Sequence, residues 1–351
     1  MRAPWWRSRT GGVVLIGVAV TLYGVLVRNP YYLNLAVLIA INGLAALGLG
    51  LLMGGAGQIS LGHAGFYGLG AYASAILTTR CHLNPWLALV IGAVVTGLIA
   101  YLVGKPTLRL RGHYLAMGTL GLGVIIWTVF NQAASVTEGP SGIPGIPPLA
   151  LGSFALNSDL RFYWLAWPVV ILAVILAGNL LDSRLGRAVR ALGENEGAAA
   201  AAGVDVAGAK LSIFMLSAVY ASVAGSLYAH FVAFVNPSPF GFDLSIQLLV
   251  MVVIGGAQTV WGPLAGAAVL TVLHQVLSAA GQHVPKLEGM EVVAYGAALV
   301  LFLIFRPQGL ITPSRRRGEP PEIPHPLPPP GARSVREAGE GGQSASSEAS
   351  S

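Results

Sequence analysis

Apolar stretches close to the length that crosses a membrane follow one another along most of this 351-residue chain. A transmembrane helix needs about 20 predominantly apolar residues, with a range of roughly 17–25. Charges, prolines and glycines divide the sequence into candidate helices at about 11–27, 31–53, 59–79, 86–104, 113–132, 162–181, 211–235, 244–256, 262–281 and 290–305. Because 244–256 is short and 59–79 is rich in glycine, the sequence predicts eight to ten spans.

The composition agrees with a membrane location. Only 10% of the residues are charged and the mean hydropathy is +0.70, whereas soluble domains carry about 25% charged residues. The chain is therefore predicted to be all-α, a polytopic transmembrane helical bundle formed by residues 1–312. Its first apolar run is predicted to remain as a helix, since no small-residue cleavage site follows it. Residues 313–351, rich in Pro, Gly and Ser, are predicted to be a disordered cytoplasmic tail.

Lysine and arginine predict which helix ends face the cytoplasm, because cytoplasmic loops are enriched in these residues. With the N-terminus inside and the helices alternating, fourteen basic residues fall inside and four fall outside; Arg333 and Arg336 of the tail lie too far from a helix end to be counted. The inner set is Arg2, Arg7, Arg9, Lys105, Arg109, Arg111, Arg184, Arg187, Arg190, Lys210, Arg306, Arg315, Arg316 and Arg317, and the outer set is Arg28, Arg80, Arg161 and Lys286. Both termini are therefore predicted to be cytoplasmic, and the net charge of +6 is attributed to these loops rather than to nucleic-acid binding.

Catalytic and metal-binding motifs are missing from the sequence. It contains no HExxH, GxSxG or Walker A pattern, and its seven histidines and one cysteine show no metal-ligand spacing. The chain is thus predicted to be no enzyme and to bind no metal or cofactor. Asp243 and Glu291 fall near predicted outer helix ends, where water reaches them, so no carboxylate is expected at the bilayer midplane. This favours a driving force supplied from outside the chain over proton or sodium coupling.

Glycine is concentrated in residues 53–74, MGGAGQISLGHAGFYGLGAYAS. Small residues allow helices to pack closely, or to break where they line a cavity. Gln58, Ser60 and His63 are therefore candidates for a translocation path. Gln258 joins them because Gly255–Gln258 repeats the Gly-Gly-Ala and glutamine pattern of 54–58, and paired Gly-broken segments point to a binding site. The alternative, tight helix packing with these polar groups bonded to neighbours, stays open.

A polar segment at about 184–210 interrupts the apolar sequence on the predicted cytoplasmic side. Its pattern comprises a cap at Asp182 or Ser183, a break at Gly193, a second start at Glu194–Glu196, alanines at 198–202 and a stop at Gly203. A linker would not need caps and a stop. The segment is predicted to form two short helices, the second slim enough to enter a groove on a partner.

Seven blocks, in this order and spacing, resemble branched-chain amino acid permeases of the LivM type, which are subunits of ABC importers. The resemblance covers about residues 31–312. The blocks are GQISLGHAGFYGLGAY (57–72), PTLRLRGHYLAMGTLG (106–121), TEGPSGI (137–143), LGRAVRALGENEGAAAAAGV (185–204), LSAVYASVAGSLYAHFVAFVNP (216–237), VIGGAQTVWGPLAGA (253–267) and FRPQGL (305–310). The fourth block resembles the EAA-type coupling loop of these permeases.

The resemblance implies partners on both sides of the membrane. They are a LivH-like second permease, two cytoplasmic LivG/LivF-like ATPases that use ATP and Mg, and a periplasmic or lipid-anchored binding protein. Glu194, Asn195, Glu196, Ala198 and Gly203 would contact an ATPase, and Arg187 and Arg190 would position the loop or meet membrane lipid phosphate. The outer loop, about 133–160, would dock the binding protein through Gly139, Pro140, Ser141, Gly142 and Ile143.

Two positions depart from the family pattern. Gly193 stands where a charged residue is frequent, and Glu138 stands where glycine is common. Two alternatives to an importer of branched-chain or related amino acids also remain. One is a self-sufficient secondary transporter or channel for a small polar solute. The other is the same ABC permease role with urea or an amide as substrate.

Overall fold

Twelve α-helices contain most of the residues that the computed structural model describes, which are 9–110, 112–151, 154–283, 296–297 and 309–311. The helices are α1 (Arg9–Leu26), α2 (Pro30–Gly50), α3 (His63–Thr79), α4 (Pro85–Thr107), α5 (His113–Gln132), α6 (Ala134–Thr137), α7 (Asp159–Asp182), α8 (Arg184–Glu194), α9 (Glu196–Ala201), α10 (Val206–Val232), α11 (Phe242–Gly255) and α12 (Gly262–His283). The all-α polytopic prediction is confirmed. The tail 313–351 lies outside the described residues, as does the tenth predicted span, 290–305, apart from 296–297.

Five of these helices are long and apolar enough to cross a membrane: α2 with its π-helical extension Leu51–Gly55, α4, α5, α7 and α10. Shorter apolar helices occupy Gly11–Leu26, Phe242–Gly255 and Gly262–Ser278. Asparagine caps followed by proline begin two of the long helices. The side chains of Asn29 and Asn84 accept hydrogen bonds from the backbone N–H groups of Tyr31 and Trp86.

The helices alternate in direction between two ends of the bundle. The α9 end carries α8 and α9, and the loop end carries residues 133–158. Contacts near helix termini establish the alternation: Gly12 of α1 faces Trp261 before α12, and Gly104 of α4 faces Leu211 of α10. Residues 309–311 also lie at the α9 end, because the Leu310 N–H donates to the Ile254 carbonyl at 2.9 Å.

Helix α10 packs through the middle of the bundle against α2, α3 and α4. Its small residues Ser217, Ala221, Gly225 and Ala229, spaced four apart, are all buried and form one packing face. Gly225 is required there, because a Cβ atom would overlap the Tyr67 carbonyl of α3. Close backbone approach of this kind is the usual basis of helix packing in lipid.

Two helices begin about halfway through the bundle rather than at its surface. His63, the first residue of α3, is hydrogen-bonded to Ser217 of α10. Ser217 lies 11 residues, or about 16 Å, from the start of the 27-residue α10. The Ala64 N–H of α3 donates to Ser245 Oγ of α11 at 3.1 Å, so α11 also begins at this depth. The chain reaches these starts through the non-helical residues 56–62 and through 234–241.

This arrangement corrects the expected location of Asp243. The sequence predicted an interfacial position at an outer helix end. In the structure Asp243 lies two residues before Ser245, near mid-depth. The reason is that a short strand and a 3₁₀ turn carry the chain inward before α11 begins. The prediction that no carboxylate lies near the midplane is therefore wrong, and it no longer argues against ion coupling.

The loop at 133–158 contains short paired strands although it is rich in proline and glycine. Strand β1 (Ile143–Pro144) pairs antiparallel with β4 (Phe234–Val235), and β2 (Ala150–Leu151) pairs with β3 (Phe154–Ala155). The partner of β1 lies about 90 residues away in sequence, so local composition could not reveal it. Side chains from α4 and α10 add anchors: Trp86 Nε1 donates to the Ala150 carbonyl and His230 Nδ1 to the Pro147 carbonyl.

Candidate functional site

Helices α8 and α9 are built largely as their caps predicted. Ser183 Oγ accepts from the Gly186 N–H at 3.3 Å, and Asn195 Oδ1 accepts from the Ala198 N–H at 3.0 Å. Gly203 ends α9 in the left-handed region with φ +81°, and the Val204 N–H donates to the Ala199 carbonyl at 3.1 Å. This is the Schellman pattern of a helix stop. The segment is a defined element rather than a linker.

The prediction that Gly193 breaks the first helix is wrong. Helix α8 continues through Gly193 to Glu194. The glycine instead permits contact with the transmembrane bundle, since a Cβ atom at Gly193 would lie 2.5 Å from the Gly55 carbonyl oxygen. Val189, one turn before Gly193, is fully buried and packs beside Gly55. A charged side chain at 193 would push α8 away from the end of α2.

Helix α9 presents small residues to the surroundings. Ala198, Ala200 and Ala201 are exposed, while Ala199 faces inward and is buried. Glu194 and Asn195 are exposed beside them. One buried anchor and an exposed alanine surface make α9 a narrow ridge on its end of the bundle.

Glu196 forms an ion pair with Lys210. The Lys210 side chain is only 6% exposed and that of Glu196 is 33% exposed. Because Glu196 starts α9 and Lys210 lies in the first turns of α10, this pair ties the ridge to the central helix of the bundle. From the sequence, Lys210 was predicted only to be one of the basic residues on the cytoplasmic side. The predicted helix began at about 211, whereas α10 begins at Val206 and takes Lys210 into its first turns, so the sequence carried no signal for a buried role.

Arg187 and Arg190 are both exposed on α8. Arg187 Nη1 donates to the Asp182 carbonyl at 3.0 Å. Arg190 lines a small cavity of about 70 Å³ together with Gly54, Gly55, Ala257 and Gln258. The two repeated Gly-Gly-Ala segments thus meet beneath α8: a Cβ atom at Gly54 would overlap the Ala257 carbonyl.

Ser60 and His63 belong to a buried hydrogen-bond chain. Ser217 Oγ donates to the Gly48 carbonyl at 2.6 Å, so it must accept from His63 Nε2, also at 2.6 Å. His63 Nδ1 then accepts from Ser60 Oγ at 3.1 Å. Each donor proton in this series of hydrogen bonds has an acceptor. The hydrogen bonds link α2, α3 and α10. This geometry matches the packing alternative for Ser60 and His63; a role in the path stays a prediction.

The two glutamines of the predicted path lie in different surroundings. Gln58 is buried, with 5% of its surface exposed, and neither amide atom has a hydrogen-bond partner among the described residues. Its neighbour Gly57 lies against Gly193 of α8. Gln258 is exposed. The structure therefore groups Ser60 with His63 and leaves the two glutamines nearer the α8 contact.

The predicted docking loop has only a small exposed part. Gly139, Gly142 and Ile143 are buried, whereas Pro140 and Ser141 are exposed. Glu138 has φ +60°, a left-handed backbone conformation that favours glycine. Arg80 Nη2 lies 3.4 Å from Glu138 Oε1, and Arg80 Nη1 donates to the Ser135 carbonyl, so these contacts offset the unfavourable backbone conformation.

A groove of about 410 Å³ opens where α3, α5 and α11 meet. Apolar residues Leu120, Val124 and Trp127 of α5 form one wall, and Phe242 and Asp243 of α11 lie opposite. This groove was not predicted from the sequence, because Asp243 was expected near the membrane surface.

Comparisons with known proteins place the chain in a family. Residues 31–305 match the family described as the permease component of branched-chain amino acid transport systems. The high-affinity branched-chain amino acid permease LivM of Salmonella typhimurium is 32% identical over 305 residues, which is 80% of this chain and 70% of the relative. LivM of Escherichia coli K12 is 33% identical over the same shares of each chain.

The LivH permease of Salmonella typhimurium is 25% identical over 76% of this chain and 90% of its own length. No solved structure matches the chain significantly. The multi-pass helical bundle, the family match and the LivM relatives lead to one conclusion: the chain belongs to the family of branched-chain amino acid permease components, the membrane subunits of ABC importers.

Proposed function

We propose that this subunit forms part of the translocation path for branched-chain or related amino acids, and that α8 and α9 receive the movement of a cytoplasmic ATPase. The observation that carries the coupling role is the exposed ridge of α9, held to the bundle by the Glu196–Lys210 pair. The substrate class is supported by the printed functions of the LivM relatives.

Movement of α9 has two physical routes into the bundle. The ion pair connects it to α10, and the close contact of Gly193 with Gly55 connects α8 to the end of α2. Helices α2, α3 and α10 are in turn joined by the His63–Ser217–Gly48 hydrogen bonds. Packed elements joined in this way shift as units, as rocking between outward- and inward-facing states requires.

The proposal includes a LivH-like second permease, two ATPase subunits that use ATP and Mg, and a substrate-binding protein that docks at the loop end. Pro140 and Ser141 are the exposed candidates for that docking. The chain itself would need no cofactor.

The proposed orientation puts the α9 end and both termini in the cytoplasm. The distribution of the described basic residues supports it, because cytoplasmic loops are enriched in Lys and Arg. Seven lie toward the α9 end, namely Arg9, Lys105, Arg109, Arg184, Arg187, Arg190 and Lys210, and three lie toward the loop end, namely Arg28, Arg80 and Arg161.

Reconstitution of the full importer tests the coupling role. Ala198→Arg adds a long cation to the α9 ridge, whereas Ala198→Ser is a matched control that keeps the residue small. We expect Ala198→Arg to remain in the membrane with its partner permease while ATP-driven uptake falls at least about tenfold, a coupling change within the usual range. Normal uptake by this variant would contradict an ATPase contact at α9.

The same vesicles test the alternatives. Leucine, phenylalanine and urea are supplied with the cognate binding protein, with and without ATP. We expect amino-acid uptake that depends on ATP. Uptake of urea alone would assign the permease to amides. ATP-independent uptake driven by a proton or sodium gradient would favour a secondary transporter, for which the mid-depth carboxylate of Asp243 is the specific supporting observation.

A further inference from the structure

We propose that the groove between α3, α5 and α11 binds the amino acid during translocation, with Asp243 as the partner of its ammonium group. This inference rests on the proposed transport function and adds to it a substrate-binding site and a basis for substrate selectivity. The groove volume of about 410 Å³ lies within the roughly 300–1,000 Å³ of small-molecule sites.

The location of Asp243 is the first argument. An ionised carboxylate near the middle of a bilayer is costly unless it faces water or a cation. Asp243 is exposed, and among the described residues its carboxylate forms no ion pair or hydrogen bond. A negative charge kept at this depth without a partner among the described residues fits a site that receives a cation from outside.

The groove lining is the second argument. Val124, Trp127 and Phe242 are 48%, 38% and 45% exposed, and they offer apolar surface for a branched or aromatic side chain. The exposed hydroxyl of Ser238 lies in the same lining and can donate to a carboxylate. One carboxylate, one hydroxyl and an apolar wall are complementary to a zwitterionic, apolar amino acid, and not to urea, which carries no cation.

The shape of the groove is the third argument. Trp127 Nε1 donates to the Pro237 carbonyl at 3.1 Å and fixes one wall. Toward the α9 end, α3 and α5 touch: a Cβ atom at Gly62 would overlap the Thr119 carbonyl, and one at Gly123 would lie 3.1 Å from Gly62 Cα. The two helices leave no room for a solute there. The contact between α3 and α5 therefore bounds the groove along that seam.

Charged thiol reagents test the groove directly. In the full importer, Cys81→Ala removes the native thiol and Val124→Cys places a new one in the lining. Cationic and anionic methanethiosulfonates of similar size are compared, each normalised to its rate with a free thiol. We expect the cation to react about tenfold faster relative to the anion, as a charged cleft concentrates counter-ions. Asp243→Asn should abolish this preference, and the control Asp159→Asn, which lies outside the groove, should retain it.

Substrate protection and uptake complete the test. Leucine should slow labelling of Val124→Cys, whereas 4-methylpentanoate, which lacks the ammonium group, should not. Asp243→Asn should reduce ATP-driven leucine uptake at least tenfold, and Asp159→Asn should not. The inference is overturned if leucine is transported but neither protects the thiol nor depends on Asp243. Failure of the proposed function differs, because leucine would then not be transported even by the unmodified importer.

Discussion

Lys210 of α10 and Glu196 of α9 form a largely buried ion pair that joins the proposed coupling ridge to the central helix of the bundle. The sequence placed these residues 14 positions apart with a helix stop between them. The pair gives Glu196 a structural partner within the chain, in addition to the ATPase contact implied by the family resemblance.

Removal of Glu196 should therefore destabilise the subunit through Lys210. Glu196→Ala leaves a buried ammonium without its partner, which costs about 3–5 kcal/mol when both groups are buried. About 2 kcal/mol is expected here, because solvent screens the one-third of Glu196 that is exposed. Thermal unfolding of the purified complex measures the effect. Glu196→Ala combined with Lys210→Met should recover part of the loss; equal unfolding temperatures for the single and double variants would contradict this role.

Gly193→Ala should uncouple ATP hydrolysis from transport, so that less substrate is taken up per ATP hydrolysed. The added Cβ atom would lie 2.5 Å from the Gly55 carbonyl oxygen, so α8 must move away from α2. Residues along a coupling route alter coupling by about 0.5–2 kcal/mol, which corresponds to a fall in uptake per ATP of up to roughly thirtyfold.

The control for this prediction is Gly17→Ala in α1, where an added Cβ atom meets no other atom within 4 Å. Its uptake per ATP should equal that of the unmodified subunit. If both alanine variants transport normally, the Gly193–Gly55 contact does not transmit movement.

His63→Leu and Ser217→Ala should reduce stability more than they change substrate affinity. Each variant breaks the hydrogen-bond chain from Ser60 through His63 and Ser217 to Gly48. Interhelical hydrogen bonds in membranes contribute about 1–2 kcal/mol in model systems, so the unfolding temperature should fall by several degrees. Leucine uptake should keep its KM. A changed KM with normal thermal stability would return His63 to the translocation path.

Cys81 provides a test of orientation without any substitution. It is the only cysteine of the chain and it is exposed beside Arg80, at the loop end. An impermeant maleimide added outside intact cells should label it, provided that the loop end faces outward. Ala200→Cys in a Cys81→Ala background should react only after the membrane is permeabilised. The reverse pattern would invert the proposed topology.

The sequence by itself determined the position of most helices that the structure describes, because apolar length and terminal caps are local properties. It also determined the helical form of 184–203, since Ser183, Asn195 and Gly203 act on their own neighbours in the chain. Seven ordered blocks carried the family assignment, which needs no knowledge of contacts.

Only the tertiary structure decided the contact of Gly193, the partner of Lys210 and the depth of Asp243. Gly193 was expected to break a helix, but a carbonyl 138 residues earlier in the chain requires it to be glycine. The partner of Lys210 and the mid-depth position of Asp243 likewise depend on how distant segments pack. Composition and periodicity report whether a residue favours a helix, whereas the approach of two backbones and the depth of a charge arise only when the whole bundle assembles.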